Sequence, residues 1–394
     1  MEVSNRIANI SASPTFAMLA RTQELKDQGI DVISLSVGEP DFNTPDNIKT
    51  AAQVAIDENY SHYSPVAGYA DLRKAICHKL FFENGLRYEP QQIVCTNGGK
   101  QAVAETLLTM VNEGDEVLIP APYWVSYPEM VKLAEGKPVI VPTDMEHNFK
   151  LTPEQLKEAI TSRTVALILC SPSNPTGAVY SKEELEALAE VLKRYPRVMV
   201  LSDEIYEHIN YIGQHASIAQ CDGMKEQTVV LNGVSKGYAM TGWRLGWLAA
   251  PEWIAKGVSK LQGQFSSGPC SVTQRAALEA YVGPQDSVQA MQKQFEKRRN
   301  LIYELVQKIP GLKANEPEGA FYLWCECSHY FGKGGITTAD ELAMYLLQEA
   351  HVACVAGTGF GAPKYLRFSY ANSERNIEEG MNRVKAALAK LKKQ

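Results

Sequence analysis

From about residue 92 the chain alternates short apolar runs with longer segments whose apolar positions recur at helical spacing. Gln92 to Thr96 precedes a helical stretch from Lys100 to Val111. Glu116 to Pro120 and Pro138 to Pro142 are short strands on either side of a helical segment near Pro128 to Ala134. Thr152-Pro153-Glu154-Gln155 and Ser181-Lys182-Glu183-Glu184 have the form of capping boxes, the first with proline at the first helical position. Each leads into a buried strand, Val165 to Cys170 and then Val198 to Ser202, and Thr228 to Leu231 and Arg244 to Ala249 complete the series. Strands alternating with helices predict a largely parallel sheet covered on both faces, with ligands collected at the carboxyl ends of the strands.

After about Ser271 the texture changes to long charged helices, Gln274 to Tyr281 and Asp286 to Gln307. A smaller alternation follows: a strand at Ala320 to Cys325, a capped helix from Thr338 to Glu349, a strand at Tyr365 to Ser369, and a terminal helix from Ile377 to Lys392. This reads as a second, α+β domain, with which the N-terminal segment through about Asn43 packs. The expected division is a large α/β domain over 44–275 and a smaller domain made of 1–43 and 276–394.

Composition narrows the picture without changing it. With 394 residues, 45% apolar and 21% charged, the chain is long enough for two domains with a sizeable core. The formal charge is −6 and no dense Lys/Arg run precedes Lys390 to Lys393, so the electrostatic footprint of a nucleic-acid binder is missing. That basic tail reads as the end of a helix, where cations suit the dipole. Apolar runs such as Val165 to Cys170 fall far short of the roughly 18 residues of a membrane span, and Met1 to Arg6 contains no apolar signal core. A cytoplasmic protein is the expectation. The eight cysteines are scattered and read as small buried hydrophobes; Cys325, Cys327 and His329 fall on a strand pattern without a second pair at metal-site spacing.

Candidate chemistry collects where strands end. Ser235-Lys236-Gly237-Tyr238-Ala239-Met240-Thr241-Gly242-Trp243-Arg244 follows the strand at Leu231. Lys236 offers an amine, Ser235 and Arg244 offer donors for a phosphate, and the glycines let backbone approach a flat ring. Asn174 follows the strand ending at Cys170, and Asp203 and Tyr206 follow the strand ending near Leu201. Singly, these residues read as a solvated lysine, a turn, a helix cap and a core aromatic. Together they have the chemistry to hold pyridoxal phosphate: Lys236 as the Schiff-base amine, Asp203 against the ring nitrogen, Asn174 and Tyr206 on the phenolate oxygen. The ring cation should in turn hold the Asp203 pKa down. Cys95-Thr96-Asn97-Gly98-Gly99-Lys100 is a strand, a glycine turn and a helix start, whose open N–H groups suit a phosphate. Trp124, beyond the next strand, is placed to stack on a ring.

These motifs resemble the fold-type I pyridoxal-phosphate aminotransferases, specifically the class I subgroup that contains bacterial aspartate aminotransferases with a Pro-Tyr-Trp-Val-Ser-Tyr-Pro run, here residues 122–128. The likeness extends from Ser34-Leu35-Ser36-Val37-Gly38-Glu39-Pro40-Asp41-Phe42 to Tyr365-Leu366-Arg367-Phe368-Ser369. It implies that Lys236 is the Schiff-base lysine and proton carrier, with Asp203 and Tyr206 beside it at the reacting ring. It implies Gly98, Gly99, Lys100, Ser235 and Arg244 around the phosphate, Trp124 on the ring, and Asn174 at the phenolate oxygen. Tyr63, in His62-Tyr63-Ser64-Pro65, matches a tyrosine that reaches the phosphate of a neighbouring subunit, which implies a homodimer with shared active sites. Arg367, Gly38, Asn174 and Trp124 match the substrate site, Arg367 clamping the α-carboxylate through a planar fork.

For the substrate, Lys100, Ser13 and Thr15 match positions that bind the second carboxylate in members using aspartate, so L-aspartate with 2-oxoglutarate is the expected pair. Aromatic or other neutral amino acids, or β-elimination on the same fold, are the alternatives. Asn9-Ile10-Ser11-Ala12-Ser13 lacks the lysine that relatives accepting prephenate carry just before the serine segment, which argues against prephenate. Gly233 replaces a hydroxyl residue of some relatives and implies one phosphate contact fewer.

Overall fold

A computed structural model describes residues 3–391. Its main feature is a seven-stranded sheet formed by β2 (Ile93–Thr96), β3 (Glu116–Ala121), β4 (Lys137–Pro142), β5 (Thr164–Cys170), β6 (Met199–Asp203), β7 (Thr228–Gly233) and β8 (Gly246–Ala249); β1 (Ile33–Ser34) lies elsewhere. The order is β2-β8-β7-β6-β5-β3-β4. Only β8 runs against the rest, pairing antiparallel with both β2 and β7. Period-2 alternation sends successive side chains to opposite faces. In β5, Ala166 and Ile168 enter the core beneath helix Gly99–Met110, whereas Leu167 and Leu169 enter the core beneath helix Lys182–Leu192. Burial on both faces explains why these strands read as continuous apolar runs.

The two capping boxes form as expected. Thr152 and Ser181 each accept from the backbone N–H three residues on, and Gln155 and Glu184 reach back to the cap N–H. Arg244 departs from expectation: it is not in a strand but in the left-handed conformation (φ 57°, ψ 55°) after a short turn, and β8 begins at Gly246. The terminal helix runs Glu374–Ala389, begun by a Ser373 side-chain cap on the Asn376 N–H. Lys390 is its C-cap, while Lys392 and Lys393 lie outside the described residues.

A second, antiparallel sheet has the order β12-β13-β10-β9, from β9 (Lys313–Ala314), β10 (Tyr322–Glu326), β12 (Val355–Ala356) and β13 (Tyr365–Ser369). Helices Asp286–Gln307, Ala339–Glu349 and Glu374–Ala389 share one core with it. β1 pairs parallel with β11 (Val352–Ala353). Helix Ser271–Val282 packs Ala276, Ala277 and Ala280 with Ile48, Leu72 and Trp247, on the side of the large sheet. Among the described residues no helix is long and apolar enough to cross a membrane.

Candidate active site

The carboxyl ends of the parallel strands and the start of the one antiparallel strand meet in a single region. β2 delivers Gly98, β3 delivers Trp124, β5 delivers Asn174, β6 ends on Asp203, and β7 leads to Ser235 and Lys236. Because β8 runs in reverse, its beginning, with Arg244 just before it, falls at the same edge.

The turn after β2 is a cradle for an anion. Gly98 has φ 83°, and a Cβ there would stand 2.6 Å from Arg244 Nη2. Arg244 donates to the carbonyls of Thr241 (2.9 Å) and Asn97 (3.3 Å). Helix Gly99–Met110 begins at this turn, and first-turn N–H groups have no intrahelical acceptor. Gly233 lacks a hydroxyl for reasons of space: a Cβ would meet Gly246 Cα and Leu245 O, both at 2.7 Å, because β7 and β8 approach closely there.

Lys236 lies in the turn after β7, and its ammonium donates to the Gly38 carbonyl. Burial pushes its pKa down to about 8; Glu39 and Asp203 hold the proton on, whereas Arg367 and Arg244 drive it off. Asp203 is 7% exposed. It accepts from the Tyr127 hydroxyl at 2.5 Å and the Ile205 N–H at 3.3 Å. Burial pushes its carboxyl up to about 6 against those hydrogen bonds. Desolvation dominates here because no cation is in contact with the carboxyl among the described residues.

Tyr206 is buried with its hydroxyl 2.8 Å from that of Tyr322; burial, followed by the neighbouring phenol, pushes its pKa well above the ordinary range. Trp124 stands edge-on to Tyr127 (ring centroids 5.3 Å, 90°), with the Lys100 ammonium 5.0 Å from its own ring centre.

Arg367, on β13, closes the region from the smaller sheet and is 2% exposed. It donates to Asn174 Oδ1 (2.9 Å) and to the Ser36 carbonyl (2.8 Å), and its guanidinium lies 4.4 Å from the Tyr322 ring centre and 5.0 Å from that of Phe360. Its Nε has no hydrogen-bond partner, and no carboxylate among the described residues pairs with it. A buried guanidinium stays charged, so an unpaired one costs several kcal/mol unless an anion completes it.

With these geometries in hand, comparison with known proteins is decisive: residues 30–384 match the family described as aminotransferase class I and II. The chain belongs to the class I and II aminotransferases. An aspartate aminotransferase of Bacillus sp. (strain YM-2) is 47% identical over 384 residues, spanning 97% of this chain and 98% of its own length. A bifunctional aspartate aminotransferase and glutamate/aspartate-prephenate aminotransferase of Petunia hybrida is 45% identical, spanning all of this chain and 84% of its own. Among solved structures, the aspartate aminotransferase of Rhizobium meliloti superposes with TM-score 0.96 at 41% identity, each chain covered completely. This aminotransferase accordingly has the fold-type I architecture expected from its sequence.

Among the described residues, three candidates make no side-chain hydrogen bond to the others, although Pro14, between Ser13 and Thr15, lies against Gly359 beside the Phe360 that faces Arg367. Tyr63 is 97% exposed. Ser13 caps helix Pro14–Asp27 only by position, and among the described residues neither its side chain nor that of Thr15 hydrogen-bonds to the other candidates. Two site residues are absent from the sequence expectations, Tyr127 and Tyr322. Tyr127 lies in the first turn of helix Ser126–Leu133, three residues past Trp124, and reads as a core aromatic; Tyr322 reads as an ordinary strand aromatic.

Proposed function

We propose that the chain is a pyridoxal 5′-phosphate-dependent aspartate aminotransferase, moving the amino group of L-aspartate to 2-oxoglutarate and giving oxaloacetate and L-glutamate in two half-reactions at one site. The observation that carries this reading is the buried, acid-free guanidinium of Arg367 within electrostatic reach of the Lys236 amine. An amino-acid carboxylate would complete the first group while the second handles protons.

The donor set fits the cofactor. Gly98, Gly99 and Arg244 form the anion cradle, to which Ser235 would add a hydroxyl, and Asp203 is a buried carboxyl short of a cation, which a protonated ring nitrogen would be. Tyr206 and Asn174 offer donors for the ring oxygen, and Trp124 a face for the ring. When bound, pyridoxal phosphate supplies an electron sink for the substrate α-carbon.

The remaining work belongs to the side chains. Arg367 orients the α-carboxylate, and its fork can engage both oxygens. Lys236, with a pKa of about 8, gives and takes a proton at the α-carbon near neutral pH, a contribution typically of ~10²- to 10⁴-fold. Asn174, shared by Arg367 and the ring site, couples substrate to cofactor. Lys100, Ser13 and Thr15 are proposed for the distal carboxylate.

A tyrosine as exposed as Tyr63 fits a residue that completes the site of a second copy, so the proposal includes a homodimer sharing Tyr63 between subunits, working in the cytoplasm. The domain division proposed is a large unit from 44 and a smaller one including 1–43. The large unit ends near 275 and the smaller one resumes at 276–394; helix Ser271–Val282, which spans that point, packs with the large-sheet core.

The test is a single half-reaction. Cofactor-loaded protein given L-aspartate without any oxo acid should release one equivalent of oxaloacetate per site and stop, then resume when 2-oxoglutarate is added. Continuous release of ammonia would instead mark a lyase, and no reaction with aspartate but one with an aromatic amino acid would redirect the substrate assignment.

A further inference from the structure

Asp203 must meet two opposing demands. A buried carboxylate must stay ionised and aimed to hold a ring cation, yet its side-chain surroundings contain no cation in contact with it. The one side-chain donor on it among the described residues is the Tyr127 hydroxyl, at 2.5 Å to Oδ2; the Ile205 N–H at 3.3 Å is a weaker second. Tyr127 is 2% exposed, and burial, then Asp203 itself, keep its phenol protonated far above neutral pH, so it donates throughout the working range.

A neutral donor suits this task for a physical reason. An arginine or lysine in the same place would ionise Asp203 equally well but would neutralise it, leaving little attraction for a ring nitrogen. A hydroxyl stabilises the carboxylate while leaving its full charge available to a ligand. The same side chain packs edge-on against Trp124, with ring centroids 5.3 Å apart at 90°, and the Tyr127 N–H bonds to the Trp124 carbonyl at 3.0 Å. Edge-to-face packing of this kind fixes ring orientation.

We propose that Tyr127 is a positioning residue for the cofactor ring, its hydroxyl holding the Asp203 carboxylate and its ring holding Trp124, so that one side chain sets both the nitrogen contact and the stacking face. This rests on the pyridoxal-phosphate reading of the site.

The test is a titration of the cofactor-free proteins with pyridoxal phosphate, followed by visible absorption, in a double-mutant cycle. Tyr127→Phe keeps the packing ring and removes only the hydroxyl; it should weaken cofactor binding about ten- to hundredfold, the range for a hydrogen bond to a charged group. In an Asp203→Ala background the same substitution should cause no further loss, because nothing remains for the hydroxyl to act through. Equal losses in both backgrounds would mean a packing role alone and overturn the proposal, as would an unchanged affinity of Tyr127→Phe. If the unmodified chain took up no pyridoxal phosphate, the site assignment itself would fall, an outcome distinct from either.

Discussion

Lys79 and Arg367 are both cations sealed inside the protein, 3% and 2% exposed, and their surroundings could hardly differ more. The Lys79 ammonium bonds to Glu207 and to Asn84 Oδ1 at 2.7 Å. Glu207 accepts in addition from Asn84 Nδ2 at 2.9 Å and from Asn232 Nδ2 at 2.7 Å. Burial opposes the Glu207 charge, but Lys79, followed by His208 and His215, holds its carboxyl far below the usual range. Arg367 has two neutral acceptors, two aromatic faces, an unpartnered Nε and, among the described residues, no acid. The first cation is completed within the chain, and the second waits for something outside it. Glu207 immediately follows Tyr206, and Asn232 lies on the strand that leads to Lys236. The satisfied cluster therefore anchors the two segments that carry Tyr206 and Lys236 toward the unsatisfied one.

The largest expected break in this comparison comes from Arg367→Met. Losing the carboxylate partner should lower kcat/KM for aspartate by roughly 30- to several thousandfold, the equivalent of about 2–5 kcal/mol. The cofactor-free melting temperature should hold or rise, since an uncompensated buried charge gives way to apolar volume. Steady-state kinetics alongside thermal melts check both halves, and a large fall in stability would show that the guanidinium is structural.

Lys79→Met should do the reverse. Leaving Glu207 buried and unpaired should destabilise the fold by about 3–5 kcal/mol in urea unfolding, with a much smaller effect on kcat of the molecules that remain folded. Adding Glu207→Gln in the same chain should recover part of the loss, because the stranded charge is then gone.

Asp203 sharpens the contrast by pH. Its folded pKa of about 6 lies above the ordinary 3.8, so its ionisation opposes folding. The protonated form's advantage is complete below pH 3.8 and is lost as pH rises through about 6. In the cofactor-free chain Asp203→Asn should therefore stabilise above about pH 6, by up to about 3 kcal/mol, with the gain disappearing toward about pH 4. Denaturant melts across this interval measure it; a gain that instead grew at low pH would mean the carboxylate is stabilised by partners already present.

Much of the architecture is legible in the sequence. The strand-helix alternation, both capping boxes and the strand-end positions of Asn174, Asp203 and Lys236 depend on neighbours within a few residues, so period and cap chemistry reveal them. Helix Glu252–Phe265 carries Gly257 and Gly263, which blur its helical pattern, and the alternation does not mark it. Arg244 adjoins an apolar run and so reads as strand, yet its left-handed backbone aims it back at the Gly98 turn. No local pattern announces a residue in that conformation.

The amino-acid sequence by itself determined most of the strands and capped helices beyond residue 92, where the parallel strands end, and which side chains stand at those ends, because these follow from short-range spacing. Tertiary structure alone decided which of them meet. Tyr127 and Asp203 are 76 residues apart, Lys236 and Gly38 are 198 apart, and Arg367 and Ser36 are 331 apart. Contacts at such separations leave no local period to read. Whether a charge is satisfied is likewise a property of everything packed around it, and for that reason the opposition between Lys79 and Arg367 could be resolved only in the fold.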